Sequence, residues 1–441
     1  MILLLARFLV AATSWPYCNT AMDTGRIPPL PASAELVQAQ VFIRHGARVR
    51  CSLAPDCWDG ALDAEYDCSA ALLQGPLAPT GSALPDGSVL YRKLYTKGRN
   101  ELNGNCALGQ LVADGVAQQV ANGRHLREAY GHILPTSPAG ANASLFYLRS
   151  DDSPRTVASG QALFGALYPQ LPGGAAVVVP WHTEDAGGDG VTITCNSEVT
   201  CPALKAARAA AEVKAAATPH YANVSVPLAA ELSAALNRTI RASGIGGLLD
   251  CLMSHACPTV PSRGGAPPAA FTPELQARAV AEAAFAMYAV YNDSAVARLG
   301  AGPLIGEMLV AMLTAVAQPA SAYRFVLHSG HDTGPMGPLL GALGVAPSEF
   351  PRFGDLVAIE LYRTGTAASR APLATGGGHG QHSVRLVHNG EVVTRRVPGC
   401  PSDADLCPFE SFRAIAAALT PTPRECGRSD EPAWWPRPSS A

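Results

Sequence analysis

Three apolar segments of this sequence each run directly into a polar cluster. The segments are Val37 to Ile43, Leu145 to Leu148 and Phe325 to Leu327. The clusters that follow them are Arg44-His45-Gly46-Ala47-Arg48, Arg149 to Thr156 and His328-Ser329-Gly330-His331-Asp332. Short apolar runs of this kind are typical of buried strands, and open α/β sheets bind their ligands at the carboxyl ends of their strands. We therefore expect the three clusters to meet at one edge of a sheet.

Helical periodicity between the strands indicates the fold class. Apolar residues recur at helical spacing in Leu111 to Tyr130, Thr272 to Tyr291 and Pro303 to Val316, and Leu356 to Leu361 and Val384 to Val387 are further strand signals. Alternating strands and helices predict an α/β fold with a mostly parallel central sheet flanked by helices. The chain has 441 residues, which is long enough for a large core.

The strand pattern fades between residues 186 and 270, where alanine-rich helical patterns such as Ala203 to Ala217 appear. This region is expected to form an α-helical subdomain inserted into the α/β core. The predicted order is a signal peptide (1–21), the first part of the core (22–185), the helical insertion (186–270), the second part of the core (271–426) and a mobile tail (427–441).

Charge and hydropathy exclude several classes of protein. The net charge is −3, which argues against a nucleic-acid binder driven by bulk positive charge. The sequence contains no uncharged apolar run of 18 residues. The best membrane candidate, Leu304 to Ala317, contains Glu307 and indicates a buried helix. We therefore predict no stable membrane span.

The cysteines and the amino-terminal segment point to the secretory pathway. Met1 to Ala12 resembles the apolar region of a signal peptide. Three cysteine pairs share one short spacing along the sequence, and a fourth pair, Cys400/Cys407, is one residue wider. These spacings are longer than those between the metal ligands of a zinc knuckle. The three equal pairs are Cys51/Cys57, Cys195/Cys201 and Cys251/Cys257. Short-loop disulfides are predicted instead. Four glycosylation sequons, at Asn142, Asn223, Asn237 and Asn292, fit a glycoprotein that is secreted or resides in the lysosomal or Golgi lumen.

The polar clusters suggest phosphate chemistry from their residue types alone. Two arginines around His45 can bind a tetrahedral oxyanion. Their charges also disfavour protonation of the imidazole, which leaves a neutral nitrogen free to attack. Gly46 allows a sharp turn and a close approach of the backbone to a ligand. Asp332, beside a histidine at a strand end, can supply a proton to a leaving group. The alternative for the first cluster alone is a solvated basic strand end.

These motifs resemble those of the histidine acid phosphatase family, which has a helical domain inserted into an α/β core. The first cluster matches the family's R-H-G-x-R-x-P motif, His331-Asp332 matches its carboxy-terminal His-Asp, and Arg149 to Thr156 matches R-S-T-D-x-x-R-T. The resemblance extends from about Val37 to Cys407. The segment Gly109 to Gly115 also resembles the family's G-Q-L-T-x-x-G segment. Three positions depart from these patterns: Arg50 replaces a proline, Asp151 replaces the threonine of the middle motif, and Val112 replaces the threonine of the G-Q-L-T-x-x-G segment.

The resemblance implies a role for each matching residue. His45 would be the nucleophile that becomes phosphohistidine, and Asp332 would protonate the leaving alcohol. The phosphate would be held by Arg44, Arg48, Arg155 and His331. It implies no cofactor and no metal ion. His379 and His382 could hold a metal, but a solvated glycine-rich loop is the favoured interpretation there.

The implied substrate is a small phosphorylated molecule, and phosphosugars are among the candidates. Phe350-Pro351-Arg352-Phe353 and the segment from His382 to Gly390 resemble the 2-phosphoxylose phosphatase branch of the family. The alternatives are a phytase, a phosphatase specific for phosphosugars, or a catalytically silent secreted glycoprotein that only binds anions. The sequence leaves the oligomeric state open.

Overall fold

The computed structural model describes most of the chain outside its two ends. The described residues are 15–29, 34–51, 57–68, 102–104, 106–138, 140–168, 179–183, 193–195, 197–257, 264–364 and 382–429. Most of the predicted signal peptide, most of the predicted tail, and His379 lie outside these residues.

The centre of the molecule is a seven-stranded sheet. Its main strands are β1 (Ala34–Arg44), β4 (Phe146–Ser150), β5 (Phe325–Gly330), β6 (Leu356–Thr364) and β7 (His382–His388). The short strands are β8 (Glu391–Val392) and β9 (Cys407–Pro408), while β2 (Glu65–Tyr66) and β3 (Asn103–Gly104) form a separate pair. The strand order is β4-β5-β1-β6-β7-β8, and β9 pairs with β7.

The sheet contains both parallel and antiparallel strand pairs. The predicted α/β class, with a central sheet flanked by helices, is confirmed, but the sheet is mixed rather than mostly parallel. Strand β5 is parallel to both β1 and β4, whereas β6, β7, β8 and β9 all make antiparallel pairs. A parallel neighbour needs a crossover connection, which is usually a helix. The sequence shows no helical pattern between the strand signals of β6 and β7, and antiparallel pairing follows from that.

Helices cover both faces of the sheet. They are α1 (Ala113–Tyr130), α2 (Pro154–Leu167), α3 (Leu204–Ala216), α4 (Val226–Ala235), α5 (Leu249–Ala256), α6 (Pro273–Tyr291), α7 (Gly302–Ala317), α8 (Met336–Ala342) and α9 (Phe409–Leu419). One core contains Leu126 of α1 and Leu163 of α2 packed with strand residues. The other contains residues of α7, α8 and α9, such as Leu309 and Phe412.

Two helix starts show how local sequence decides the boundaries. Thr272, which precedes Pro273, caps α6 by accepting a hydrogen bond from the backbone N–H of Leu275 at 3.3 Å. Val112 precedes α1 and provides no side-chain cap, as expected for a residue that replaces a threonine. The helix that the sequence predicts from Leu111 accordingly begins at Ala113.

The described residues from 204 to 256 are mostly helical. Their core packs Trp58 with Leu232 of α4, Leu252 of α5 and Leu275 of α6. This agrees with the alanine-rich helical patterns of the sequence, while the predicted limits of the subdomain stay predictions.

Short-loop disulfides were predicted for four cysteine pairs, and the structure shows that the prediction is wrong for three of them. Only Cys400–Cys407 joins neighbours, and the other bonds are Cys18–Cys257, Cys57–Cys251, Cys68–Cys106 and Cys201–Cys426. Cys51 and Cys195 are free. Six residues of helix separate the Cα atoms of Cys251 and Cys257 by about 9 Å, which exceeds the roughly 7 Å that a disulfide can bridge. Cys195 packs in the core beneath the sheet, whereas Cys201 packs with Cys426 in a different cluster.

One helical stretch, Ser294–Ala317, is long and apolar enough to cross a membrane by length and composition. It contains α7, and 67% of its most apolar window is buried inside the fold. A helix in a protein core can pass the same test of length and composition. The burial of α7 agrees with the prediction, made from Glu307, that this segment is a buried helix. That side chain accepts a hydrogen bond from Arg149 at 2.6 Å.

Candidate active site

The three polar clusters meet at the carboxyl ends of β1, β4 and β5, as the sequence predicts. The strand register places Arg44 beside Gly330 and Ser150 beside Ser329. The side chain of Asp332 forms an ion pair with Arg44, with 2.9 Å between Oδ2 and Nη2. The chain therefore brings residues far apart in sequence to one edge of the sheet.

Further contacts join the other predicted site residues to this pair. Arg155, in the first turn of α2, lies 3.4 Å from Nδ1 of His331 through its Nη2. The rings of His45 and His331 have centroids 5.4 Å apart. Arg48 is close enough for its charge to act on both His45 and Asp332. All six predicted residues thus lie in one cluster.

His45 is buried and has one ring nitrogen held by the backbone. Its Nδ1 lies 2.9 Å from the carbonyl oxygen of Gly46. A carbonyl only accepts, so Nδ1 carries the proton and Nε2 keeps its lone pair. Burial lowers the pKa of His45 well below its usual value, and the charges of Arg48 and Arg155 lower it further. The imidazole is therefore neutral, with a nucleophilic nitrogen available.

Gly46 fixes the position of this loop through direct backbone packing. A Cβ atom at Gly46 would lie 2.1 Å from the carbonyl oxygen of Gly115, in the first turn of α1. A Cβ at Gly115 would in turn lie 2.0 Å from the carbonyl oxygen of Ala47. The N–H of Gly46 donates to Ser159 Oγ of α2 at 3.1 Å. The loop that contains His45 is consequently held against both helices.

Three buried arginines present donors without protein partners. The Nε atoms of Arg44, Arg48 and Arg155 are buried and make no hydrogen bond within the described part of the chain. Arg44 is otherwise held firmly, because its Nη1 donates to the carbonyl oxygen of Pro351 at 2.6 Å and its guanidinium lies 4.4 Å from the Phe353 ring centroid. Leaving such donors unsatisfied is costly. An anion with several oxygens fits this arrangement.

Asp332 is held in its ionised form in the ligand-free site. Oδ1 accepts a hydrogen bond from the backbone N–H of Thr333 at 2.8 Å. Burial raises the pKa of this carboxyl, but the charges of Arg44, Arg48 and His331 outweigh that effect. The pKa of Asp332 therefore lies below its usual range.

Two carboxylates that were not among the predicted site residues contact the cluster. Asp151 Oδ2 lies 2.7 Å from His331 Nε2; the sequence places it in the second polar cluster, where it departs from the family pattern. Asp250, on helix α5, lies 2.5 Å from Nη1 of Arg48. No motif marks Asp250, because it reaches the site only through the packing of the helical region.

Two other residues of the polar clusters and their flanks are buried. His328 stacks on Phe42 with ring centroids 4.7 Å apart and is buried, which fits a structural role. Arg50, where the family has proline, is also buried. Within the described residues, no group of three or more His, Cys, Asp or Glu side chains is placed to hold a metal ion.

The fold and this cluster define an α/β enzyme built to hold a tetrahedral anion against a neutral imidazole. The chain belongs to the histidine phosphatase superfamily (branch 2), whose family pattern matches residues 35–389. It is therefore a hydrolase of the phosphatase class, and phosphomonoester hydrolysis is its chemistry.

Curated relatives match over most of their length. Counting factor 60 of Dictyostelium discoideum is 26% identical over 91% of this chain and 90% of the relative. The 2-phosphoxylose phosphatase 1 of Homo sapiens is 24% identical over 90% of this chain and 80% of the relative. The lysosomal acid phosphatase of Bos taurus is 25% identical over 74% of each. The bonded cysteines are consistent with the oxidising secretory pathway that the sequence predicts.

Solved structures agree on the fold. The apo form of Hafnia alvei phytase superposes with a TM-score of 0.58 and 14% identity, covering 90% of this chain and 99% of the phytase. Its complex with myo-inositol hexakis sulphate gives a TM-score of 0.57. At this level of identity the similarity establishes the α/β architecture and carries no information on substrate.

Proposed function

We propose that this chain hydrolyses small phosphate monoesters at acid pH through a covalent phosphohistidine on His45, without a metal ion. The observation that carries the proposal is the geometry of His45. Its Nδ1 is held by the Gly46 carbonyl, which leaves the lone pair on Nε2, and the ring lies within the influence of the charges of Arg44, Arg48 and Arg155.

The proposed reaction has two steps. In the first, Nε2 of His45 attacks phosphorus, a P–N bond forms and the P–O bond to the leaving alcohol breaks. The arginines stabilise the equatorial oxygens, and Asp332 gives its proton to the leaving oxygen. In the second, water transfers a proton to the Asp332 carboxylate and attacks phosphorus. The P–N bond breaks, and inorganic phosphate leaves.

The charge of the described site favours a substrate with one phosphate group. Two arginines in the cluster are each paired with a carboxylate: Arg44 with Asp332, and Arg48 with Asp250. Only a small excess of positive charge is left for the ligand. A phosphorylated sugar or another monophosphate fits this balance better than an inositol polyphosphate. The relatives named 2-phosphoxylose phosphatase support the same substrate class.

Trapping the intermediate tests the proposal. Quenching the enzyme and a ³²P-labelled aryl phosphate in alkaline denaturant should trap a phosphoenzyme that is stable in alkali and labile in acid. His45→Ala should lack it and turn over at less than about a thousandth of the wild-type rate. His125→Ala, a histidine on α1 that pairs with Glu128, is the matched control. Substantial activity in His45→Ala, or a loss of rate when a metal chelator is added, contradicts the mechanism.

A substrate panel separates the rival specificities. We expect kcat/KM for 2-phosphoxylose and other sugar monophosphates to exceed that for inositol hexakisphosphate. The reverse order would favour a phytase. No phosphate release from any ester would favour the silent anion-binding glycoprotein.

A further inference from the structure

Helix α1 presents two buried side-chain amides to the loop that contains His45. Gln119 Nε2 donates a hydrogen bond to the carbonyl oxygen of Arg44 at 2.8 Å. Gln118 Oε1 accepts a hydrogen bond from the backbone N–H of Ala47 at 2.9 Å. Both glutamine side chains are shielded from solvent. The two amides therefore anchor the backbone on both sides of the proposed nucleophile.

The backbone N–H groups of residues 44–47 all donate to groups of the protein. Their acceptors are, in chain order, the carbonyl oxygen of Asp355, the carbonyl oxygen of Gly330, Ser159 Oγ and Gln118 Oε1, at 2.8 to 3.1 Å. These four residues consequently keep no free backbone N–H for a phosphoryl oxygen. The donors that this loop offers to a phosphate are its side chains, and the backbone anchors decide where those side chains lie.

The far end of each amide is also engaged, which fixes the orientation of the side chain. Gln118 Nε2 donates to the carbonyl oxygen of Cys18 at 2.6 Å. Cys18 is itself held by its disulfide bond to Cys257, the residue that follows α5. Gln119 Oε1 accepts a hydrogen bond from Asn122 Nδ2 at 3.4 Å. Because an amide oxygen only accepts and an amide nitrogen only donates, each glutamine fits in one orientation.

We propose that Gln118 and Gln119 are positioning residues that hold the loop so that His45 Nε2 lies within attacking distance of a bound phosphorus atom. The inference rests on the proposed function and assigns a role to two residues that no catalytic motif marks. Nucleophilic attack requires the reacting atoms to lie about 3–3.5 Å apart, and a misplacement of about 1 Å can lower the rate roughly 10²-fold. Both amides bond to the loop backbone, so they act through His45.

The phosphate-binding arginines have anchors of their own. Arg44 Nη1 donates to the carbonyl oxygen of Pro351 at 2.6 Å, and Arg48 Nη1 lies 2.5 Å from the carboxylate of Asp250. The ring of His45, in contrast, is hydrogen-bonded to the carbonyl of the next residue and moves with the loop. Loss of a glutamine amide should therefore displace the nucleophile more than the bound phosphate.

The test measures the rate constant for phosphoenzyme formation, because a rate constant does not depend on how much of the protein is folded. Enzyme and saturating ³²P-labelled aryl phosphate are mixed and quenched rapidly in alkaline denaturant. Gln119→Met and Gln118→Met each replace an amide by an apolar side chain of similar length. Gln40→Met is the matched control, since buried Gln40 of β1 donates to the carbonyl oxygen of Met308 at 2.9 Å.

We expect Gln119→Met and Gln118→Met to lower this rate constant about 10²-fold. Their Kd for inorganic phosphate should change by less than about threefold. Gln40→Met should leave both quantities unchanged even where it lowers stability. An unchanged rate constant in the two variants, or an equal loss in Gln40→Met, would show that the amides are only structural and would overturn the inference. A loss of phosphate affinity as large as the loss of rate would also overturn it.

A second measurement does not depend on the variants folding: a crystal structure of the wild-type enzyme with vanadate bound at His45. Both glutamine contacts to the loop should persist, and the vanadate oxygens should contact side chains of the loop. A vanadate oxygen bonded to a backbone N–H of residues 44–47 would overturn the inference. A wild type that forms a phosphoenzyme absent from His45→Ala leaves the proposed function standing in each of these cases, whereas a wild type that forms none contradicts the proposed function itself.

Discussion

The residue whose ionisation limits the proposed reaction is Asp332. Arg44 and the Thr333 N–H stabilise its carboxylate, so its pKa lies below the usual range in the ligand-free site. The protonated form that can act as a donor therefore increases as the pH falls. Turnover of alkyl phosphates should decline as the pH rises toward neutrality.

Substitution of Asp332 should discriminate between leaving groups. Asp332→Asn removes the proton donor and is expected to slow alkyl phosphates by about 10²- to 10⁴-fold, whereas aryl phosphates, which leave as stable phenolates, should lose far less. Steady-state rates for one ester of each kind provide the measurement. Equal losses would show that Asp332 is not the donor. Asp152 would then be the next residue to test, since Asp151 is occupied by His331.

Single residues of the site were largely predictable because their identity follows local rules. A histidine between two arginines after an apolar strand is a local pattern, and His45, Arg44 and Arg48 were found from it. Asp250 is different. It belongs to a helix whose sequence resembles any amphipathic helix, and only tertiary packing brings it to Arg48.

At the scale of elements, helix α5 links the helical region to the site. Disulfides join Cys251 to Cys57 and Cys257, the residue that follows the helix, to Cys18. Asp250, the residue before Cys251, pairs with Arg48 and accepts a hydrogen bond from the backbone N–H of Cys51 at 2.9 Å. The helix thereby holds both Arg48, which we propose binds phosphate, and the loop that follows it.

Removal of the Asp250 carboxylate should lower both the stability of the enzyme and its affinity for substrate, and inorganic phosphate should reverse part of the loss of stability. Asp250→Ala leaves the buried Arg48 without its counterion and should lower the free energy of unfolding by about 2 kcal/mol in phosphate-free buffer. KM should rise about tenfold. Inorganic phosphate should restore much of the stability, because it supplies another anion. Denaturant titrations with and without phosphate measure this, and Glu231→Ala, which removes an exposed partner of Arg278, is the control. A loss that phosphate leaves unchanged contradicts the idea.

Elements were more predictable than their arrangement. Periodicity located α1, α6 and α7 within a few residues, because it reports which face of a segment is buried. Strand direction is set by the connections between strands. Between the strand signals of β6 and β7 the sequence has no helical periodicity, and this feature of the sequence favours an antiparallel pair.

At the scale of the whole molecule, four of the five disulfides join distant parts of the chain. Cys18–Cys257 spans 239 residues and Cys201–Cys426 spans 225. Cys18 ties the amino-terminal segment to α5, and Cys426 ties the segment after α9 to the start of the helical region. Spacing along the sequence could not give these pairs, since they depend on which segments the fold places together.

The final prediction concerns the state of the cysteines. Ten of the twelve are paired, and Cys51 and Cys195 are free. Burial raises the pKa of both thiols, so both should react slowly with alkylating agents in the native protein. Under denaturing, non-reducing conditions, mass spectrometry should find two alkylated cysteines and a peptide linking Cys201 to Cys426. Inorganic phosphate should further protect Cys51, which lies beside Arg48 and Arg155. A Cys51–Cys57 or Cys195–Cys201 bridge would contradict the fold around both residues, because Cys57 would then release Cys251 and Cys201 would release Cys426.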